Sequence, residues 1–236
     1  MKIQELAYHA TPLGALSLRR RVDPRLRDLV VFEVKLGDEF LMASHFIEGE
    51  RQVSILGLGR AAGDSLVVVV GGLGLGYTAA AALEDARVKD LLVIELFAEV
   101  ISWHKDHLVP AGALLTADDR CELRQGDFFA LARTGLDAND PTRRFDAVLV
   151  DIDHTPEHFL DARNESFYGE EGLRALRDQL KPDGVFALWS DSPADENFTA
   201  RLRKIFGEAA GINVEFPNPY TNATSVNSVY VAVRQT

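Results

Sequence analysis

The stretch Val67–Val88, VVVVGGLGLGYTAAAALEDARV, decides the fold. An apolar run without alternation reads as a strand buried on both faces, and the alanine-rich segment after it reads as a closely packed helix. Between them stand Gly71, Gly72, Gly74 and Gly76, at the strand-to-helix turn where backbone must approach a ligand and a side chain would intervene. Such a turn also presents the first N–H groups of the helix.

Outward from this turn the chain repeats the pattern. Apolar strands are expected at Leu66–Val70, Leu91–Ile94, Cys121–Leu123, Ala147–Val150 and Val185–Trp189, with helices around Tyr77–Asp85, Ala98–His107, Glu170–Leu180 and Asp195–Phe206. That alternation predicts a parallel sheet covered by helices. The segments Asn213–Phe216 and Ser228–Val233 predict a closing antiparallel hairpin, because the PNPYTNATSVN between them is too turn-rich for a crossover helix. Upstream, Leu13–Arg20 and Leu29–Ala43 read as short strands with a turn at Gly37-Asp38, followed by a helix over Glu50–Leu58. The expected division is a small β-rich domain over residues 1–60 and a Rossmann-like nucleoside-binding domain over 61–236.

The bulk properties narrow the function. A net charge of −11 argues against a sequence-independent grip on nucleic acid, which needs a basic surface, and suits a cationic ligand. No apolar stretch approaches the length of a membrane span and the first residues lack a signal-peptide core, so a cytoplasmic protein is expected. Cys121 is the single cysteine and has no disulfide or metal-ligand partner at a suitable spacing, which makes it a packed strand residue.

The loop has no lysine, which excludes a triphosphate-binding P-loop. Gly74-Leu75-Gly76-Tyr77-Thr78-Ala79 satisfies G-x-G-x-x-A and leaves a dinucleotide open, although no proton-relay group for an oxidoreductase follows at a recognisable spacing. Glu95 ends the next strand nineteen positions after Gly76, where a carboxylate accepts hydrogen bonds from ribose hydroxyls. Asp127, in Gly126-Asp127-Phe128-Phe129, either meets an adenine amino group beside an aromatic ring or caps a helix.

Asp151 closes the fourth strand and is expected in the same crevice, with Asp153 and His154 following it. A carboxylate there can orient an amine and take its proton. His154 and His158, four apart, read as loop histidines and not as a metal site, and Pro217-Asn218-Pro219-Tyr220 as a rigid turn rimming the cleft.

The stretches TPLGALSL, VVVVGGLGLG, LLVIE, QGDFFALA, FDAVLVDIDHTP and ESFYGEEGLRALRDQLKPDGVFALWSDSP, in this order from Thr11 to about Pro193, make the chain resemble the spermidine synthase (polyamine aminopropyltransferase) family. The resemblance implies a small N-terminal β-domain on a Rossmann-like body with a seven-stranded sheet, usually dimeric or tetrameric. It implies Gly72, Gly74 and Gly76 as the nucleoside loop, Glu95 at the ribose, Asp127 and Phe128 at the adenine, and Asp151 as the catalytic carboxylate.

Glu50, Asp153 and His154 fall where the family contacts its amine. The implied reaction moves an aminopropyl group from decarboxylated S-adenosylmethionine, a co-substrate and not a resident cofactor, to an amine such as putrescine. Methyl transfer from S-adenosylmethionine on the same fold, and a silent adenosine-binding module, are the alternatives. The departures concern the amine side: the aspartate that holds the aminopropyl ammonium aligns with Gly74, the family's Tyr-His-Glu is absent from GERQVSILGL, and its Asp-Ser-Ser-Asp is Asp151-Ile152-Asp153-His154 here.

Overall fold

In the computed structural model, which describes residues 3–235, the valine run becomes β5 (Leu66–Gly71), an inner strand of a seven-stranded sheet. Its neighbours are β6 (Val88–Glu95) and β8 (Phe145–Val150), both parallel to it. Outside them lie β7 (Cys121–Gln125) and β9 (Leu180–Ser190), also parallel to their neighbours. Beyond β9 the hairpin of β10 (Gly207–Asn218) and β11 (Ala223–Arg234) joins antiparallel, giving the order β10-β11-β9-β8-β5-β6-β7.

The chain leaves β5 toward β6 and β7 and returns to the other side of β5 for β8. Ligands of open α/β sheets bind at that reversal, outside the carboxyl ends of the strands. Here the reversal sets Gly71 beside Asp151, whose N–H donates to the Gly71 carbonyl at 2.9 Å.

Strand side chains alternate between two cores. Val68, Val70, Leu91, Val93 and Leu149 face one layer, while Val69, Leu92, Ile94, Val148 and Val150 face the other. The first layer holds helices α1 (Glu48–Leu58), α2 (Tyr77–Glu84), α3 (Ala98–Lys105) and α4 (Gly112–Ala117). The second holds α5 (Phe128–Thr134), α6 (Glu165–Tyr168), α7 (Glu170–Arg177) and α8 (Glu196–Phe206).

Small residues permit the closest approaches. Gly57 of α1 sits where a Cβ would meet Leu149 and Ala187 below 3 Å, so α1, although it precedes the expected border at residue 60, packs on the large sheet. Among the described residues no helix is long and apolar enough to cross a membrane.

The N-terminal strands β1 (Ile3–Thr11), β2 (Gly14–Asp23), β3 (Leu29–Leu36) and β4 (Glu39–Ala43) form a separate antiparallel sheet in sequence order. Leu16, Leu18, Val34 and Leu36 of this sheet join the first core layer. Its opposite side is tied down by the hairpin tip, where the Tyr220 hydroxyl donates to Asp23 Oδ2 at 2.7 Å and Arg25 lies 4.2 Å above the ring. The Pro217–Tyr220 turn therefore docks on the N-terminal sheet and does not rim the cleft, a correction to the sequence expectation. The cause is Asp23, fully buried and ion-paired with Arg21, which draws the phenol to that side.

Candidate active site

The glycine turn is shaped by contact as much as by dihedral angle. Gly72 has φ 92°, and a Cβ there would lie 2.1 Å from the Asp151 carbonyl oxygen, so the close passage of β5 past β8 admits no side chain. Gly74 has φ 48° and is roofed by Met42 of β4, whose Sδ accepts from the Leu75 N–H at 3.2 Å. Gly76 has φ 91°, begins α2 and lies under His104, apart from the residues that line the cleft.

His104 is fully buried, and burial pushes its pKa down, which leaves a neutral ring whose Nε2–H donates to the Gly74 carbonyl at 3.0 Å. This positioning of the loop by an α3 histidine was not foreseen, since a lone histidine inside an apolar helix carries no readable signal.

The turn, the strand tips and the N-terminal sheet enclose one cleft. Glu50, Gly72, Gly74, Glu95, Asp127, Phe128, Asp151 and His154 all line it, so most of the residues singled out in the sequence converge. Asp151 follows β8 and its Oδ2 accepts from the Thr78 hydroxyl at 2.6 Å. The same hydroxyl lies 3.2 Å from the Glu50 carbonyl, so Thr78 clasps the start of α1 to the tip of β8.

Glu50 and Asp151 form a carboxylate pair with no ion-pair partner among the described residues. Desolvation, then repulsion from Asp151, pushes Glu50 up to about 8. Desolvation pushes Asp151 up to about 6, opposed by the Thr78 hydrogen bond. Two such groups titrate as a unit and hold one proton between them near neutrality. Thr78 is legible only in hindsight, as a hydroxyl in the first turn of the helix that the glycines open.

Glu95 is buried at the tip of β6. Its two oxygens accept from the N–H groups of Leu73 at 3.0 Å and Phe97 at 2.9 Å. Desolvation raises its pKa, and these backbone N–H groups oppose that by favouring the anion. The Gly74 and Leu96 N–H groups favour the anion as well, so a ribose hydroxyl would share this carboxylate with the backbone donors around it.

Asp127 fulfils its capping role, accepting from Ala130 N at 3.1 Å, and its exposed carboxylate still lines the cleft. Phe128 is buried under Gly71, where a glycine Cβ would come within 2.6 Å of the ring, and it packs edge-on against Phe129 and Phe167. It supports the floor of the cleft from below.

Asp153 departs from its expected place. It is 1 % exposed and accepts from Leu160 N at 2.7 Å, from Asn164 Nδ2 and from the Tyr168 hydroxyl at 2.9 Å. Its carboxylate organises the loop after β8 and is absent from the cleft lining, because the chain bends as it leaves the strand and two-residue alternation no longer holds. His154 does line the cleft, with Glu39 at 3.9 Å and Asp191 at 3.7 Å on either side. His158 stacks near it at 5.1 Å between ring centroids. Among the described residues no group of three or more His, Cys, Asp or Glu side chains is placed to hold a metal ion.

Trp189 at the end of β9 completes the wall, its indole Nε1 against Gly49, where a Cβ would lie 2.4 Å away. Residues 50–210 match the family model described as spermine/spermidine synthase domain. The chain belongs to this spermine/spermidine synthase family.

The spermidine synthase likeness extends to solved structures. One, a spermidine synthase in complex with the transition state analogue AdoDATO, superposes with a TM-score of 0.75 at 18 % identity, covering 98 % of this chain and 74 % of that one. Another, spermidine synthase from Thermotoga maritima, gives 0.73 at 18 % identity, with 98 % and 72 % covered. At such identity the likeness establishes the fold: a family body with its separate N-terminal sheet.

Proposed function

We propose that this chain is an aminopropyltransferase that moves an aminopropyl group from decarboxylated S-adenosylmethionine to an amine. The observation that carries this reading is the Glu50–Asp151 pair, set beside a glycine turn and in one cleft with Glu95. Family membership supports the transferase class, and the analogue bound to a structural relative supports the kind of co-substrate.

In this reading Glu95 accepts from the ribose hydroxyls and Asp127 from the adenine amino group, while the turn from Gly72 to Gly74 brings backbone against the nucleoside. The acceptor amine enters as an ammonium, drawn by the carboxylate pair, and gives its proton to Asp151. Its freed lone pair attacks the methylene bound to the sulfonium. The new C–N bond forms as the C–S bond breaks, the electron pair stays on sulfur, and 5′-methylthioadenosine leaves. An alkylamine has a pKa near that of lysine, about 10.4, so supplying the neutral amine is the protein's main task at neutral pH.

Methyl transfer is the second reading, favoured by Gly74, which the thioether of Met42 covers and where no carboxylate stands to hold an aminopropyl ammonium. It is separated by incubation with S-adenosylmethionine or its decarboxylated form and mass analysis of the amine product.

The decisive variant is Asp151→Asn. It is expected to lower kcat by about 10²–10⁴-fold, the range for losing a positioned base, while 5′-methylthioadenosine binds within about threefold of the parent by calorimetry. Full activity in Asp151→Asn removes the residue from the mechanism.

A further inference from the structure

We infer that the acceptor carries one amino group on an apolar alkyl or aromatic body, selected by the wall that the N-terminal sheet lays beside Glu50 and Asp151. This rests on the transferase reading above and narrows it.

Six residues of the N-terminal sheet and its first turn line the cleft, Leu13, Leu16, Val34, Leu36, Leu41 and Met42, and every one is apolar. Two glycines near the cleft are covered as well. Met42 Sδ closes over Gly74 and the Trp189 indole over Gly49, each 2.4 Å from where a Cβ would be, so a thioether and an indole stand where those positions would otherwise offer side chains.

The acids of the cleft are Glu50, Glu95, Asp127, Asp151 and Asp161. Three are engaged: Glu95 by backbone N–H groups, Asp127 as a helix cap and Asp161 by Arg163 at 2.5 Å. Glu50 and Asp151 remain, the latter also accepting from Thr78; sharing one proton near neutrality they offer about one negative charge to two amino groups, the ammonium of the donor's propyl chain and the reacting amine. A diamine brings a third. Laid along the leucine wall, its far ammonium would be a desolvated cation without a carboxylate partner, which is strongly disfavoured. Glu39 and Asp191 flank His154 at the mouth, but both are exposed and remain in water. An alkyl or aromatic body on the same wall gains roughly three- to fourfold in affinity for each methylene buried.

The test compares n-pentylamine with its isostere 1,4-diaminobutane, using decarboxylated S-adenosylmethionine and following 5′-methylthioadenosine release. The monoamine is expected to show a kcat/KM at least about tenfold higher, rising with chain length from propylamine to hexylamine. Equal or better use of the diamine overturns the inference and leaves the transferase reading standing.

A second measurement is the melting temperature of protein saturated with 5′-methylthioadenosine. A rise with pentylamine and not with the diamine, in the absence of any product, overturns the transferase reading and leaves the selectivity intact. No rise and no product with either amine overturns both. Leu41→Asp, on the short edge strand β4, is expected to invert the preference toward the diamine. Leu41→Asn, uncharged, is expected not to, and an inversion by Asn counts against the charge argument.

Discussion

Two carboxylates that hold one proton make the site's chemistry depend on pH and make the fold depend on it too. Both Glu50 and Asp151 titrate higher in the folded protein than in an unfolded chain, from 4.5 to about 8 and from 3.8 to about 6. As pH rises through these intervals the unfolded chain sheds its protons first, so it binds fewer than the folded chain and stability falls. The contribution is neutral below about pH 4, is lost progressively up to about pH 8 and then levels off. Glu50→Gln removes the titration that spans the wider interval. At pH 8.5 it is expected to stabilise by about 1–3 kcal/mol, read as a melting rise of roughly 2–4 °C per kcal/mol, with no gain near pH 4. Glu50 still holds its proton where Asp151 titrates, so the rising limb of kcat/KM that reports Asp151 is expected to stay in place. A melting gain independent of pH contradicts the pairing.

Among the elements, the tip of β5 is the one whose geometry leaves no latitude. Gly72→Ala puts a Cβ into the Asp151 carbonyl oxygen, which is backbone and cannot swing away, in a conformation with φ 92° that alanine resists. A loss of about 3 kcal/mol or more is expected, measured by denaturant unfolding. A loss below about 1 kcal/mol shows that β8 yields.

This element was legible because four valines and a glycine turn have few other solutions. Glu95 and Asp151 were legible for the same reason, as polar residues closing apolar runs. Legibility ended where strands end. Asp153 was assigned to the cleft by alternation, which has no force once the chain bends, and β10 begins at Gly207, well before the expected Asn213, because its exposed first residues show neither period. Cys121, expected to be buried in a strand, stands on β7 but is only partly buried, and that burial pushes its thiol up to about 12. The contacts of Met42, Trp189 and Thr78 come from elements distant in sequence, so no local pattern announces them.

For the whole molecule, the cleft exists only while the N-terminal sheet stays over the strand tips, and the hairpin tip helps to hold it there. Asp23 is fully buried and receives Arg21, Arg25 and the Tyr220 hydroxyl, while Arg21 also donates to Glu33 at 2.6 Å. His45 and Phe46 pack around the same phenol, their rings 5.3 and 5.8 Å from that of Tyr220, and Phe216 packs on Phe46. Tyr220→Phe keeps the ring and removes its hydroxyl, leaving one acceptor lone pair of a buried carboxylate unmet. The expected cost is about 1–2 kcal/mol, or a melting loss of roughly 2–8 °C. Because the node lies outside the cleft and touches neither Asp151 nor Glu50, its effect on turnover passes through the position of the apolar wall. The KM for the amine is expected to rise a few-fold, on the order of the loss of one or two buried methylenes, while kcat at saturation holds. A variant that melts lower with an unchanged KM shows the wall to be positioned by its core contacts through Leu16, Leu18 and Val34 alone, and the hairpin tip to serve stability only.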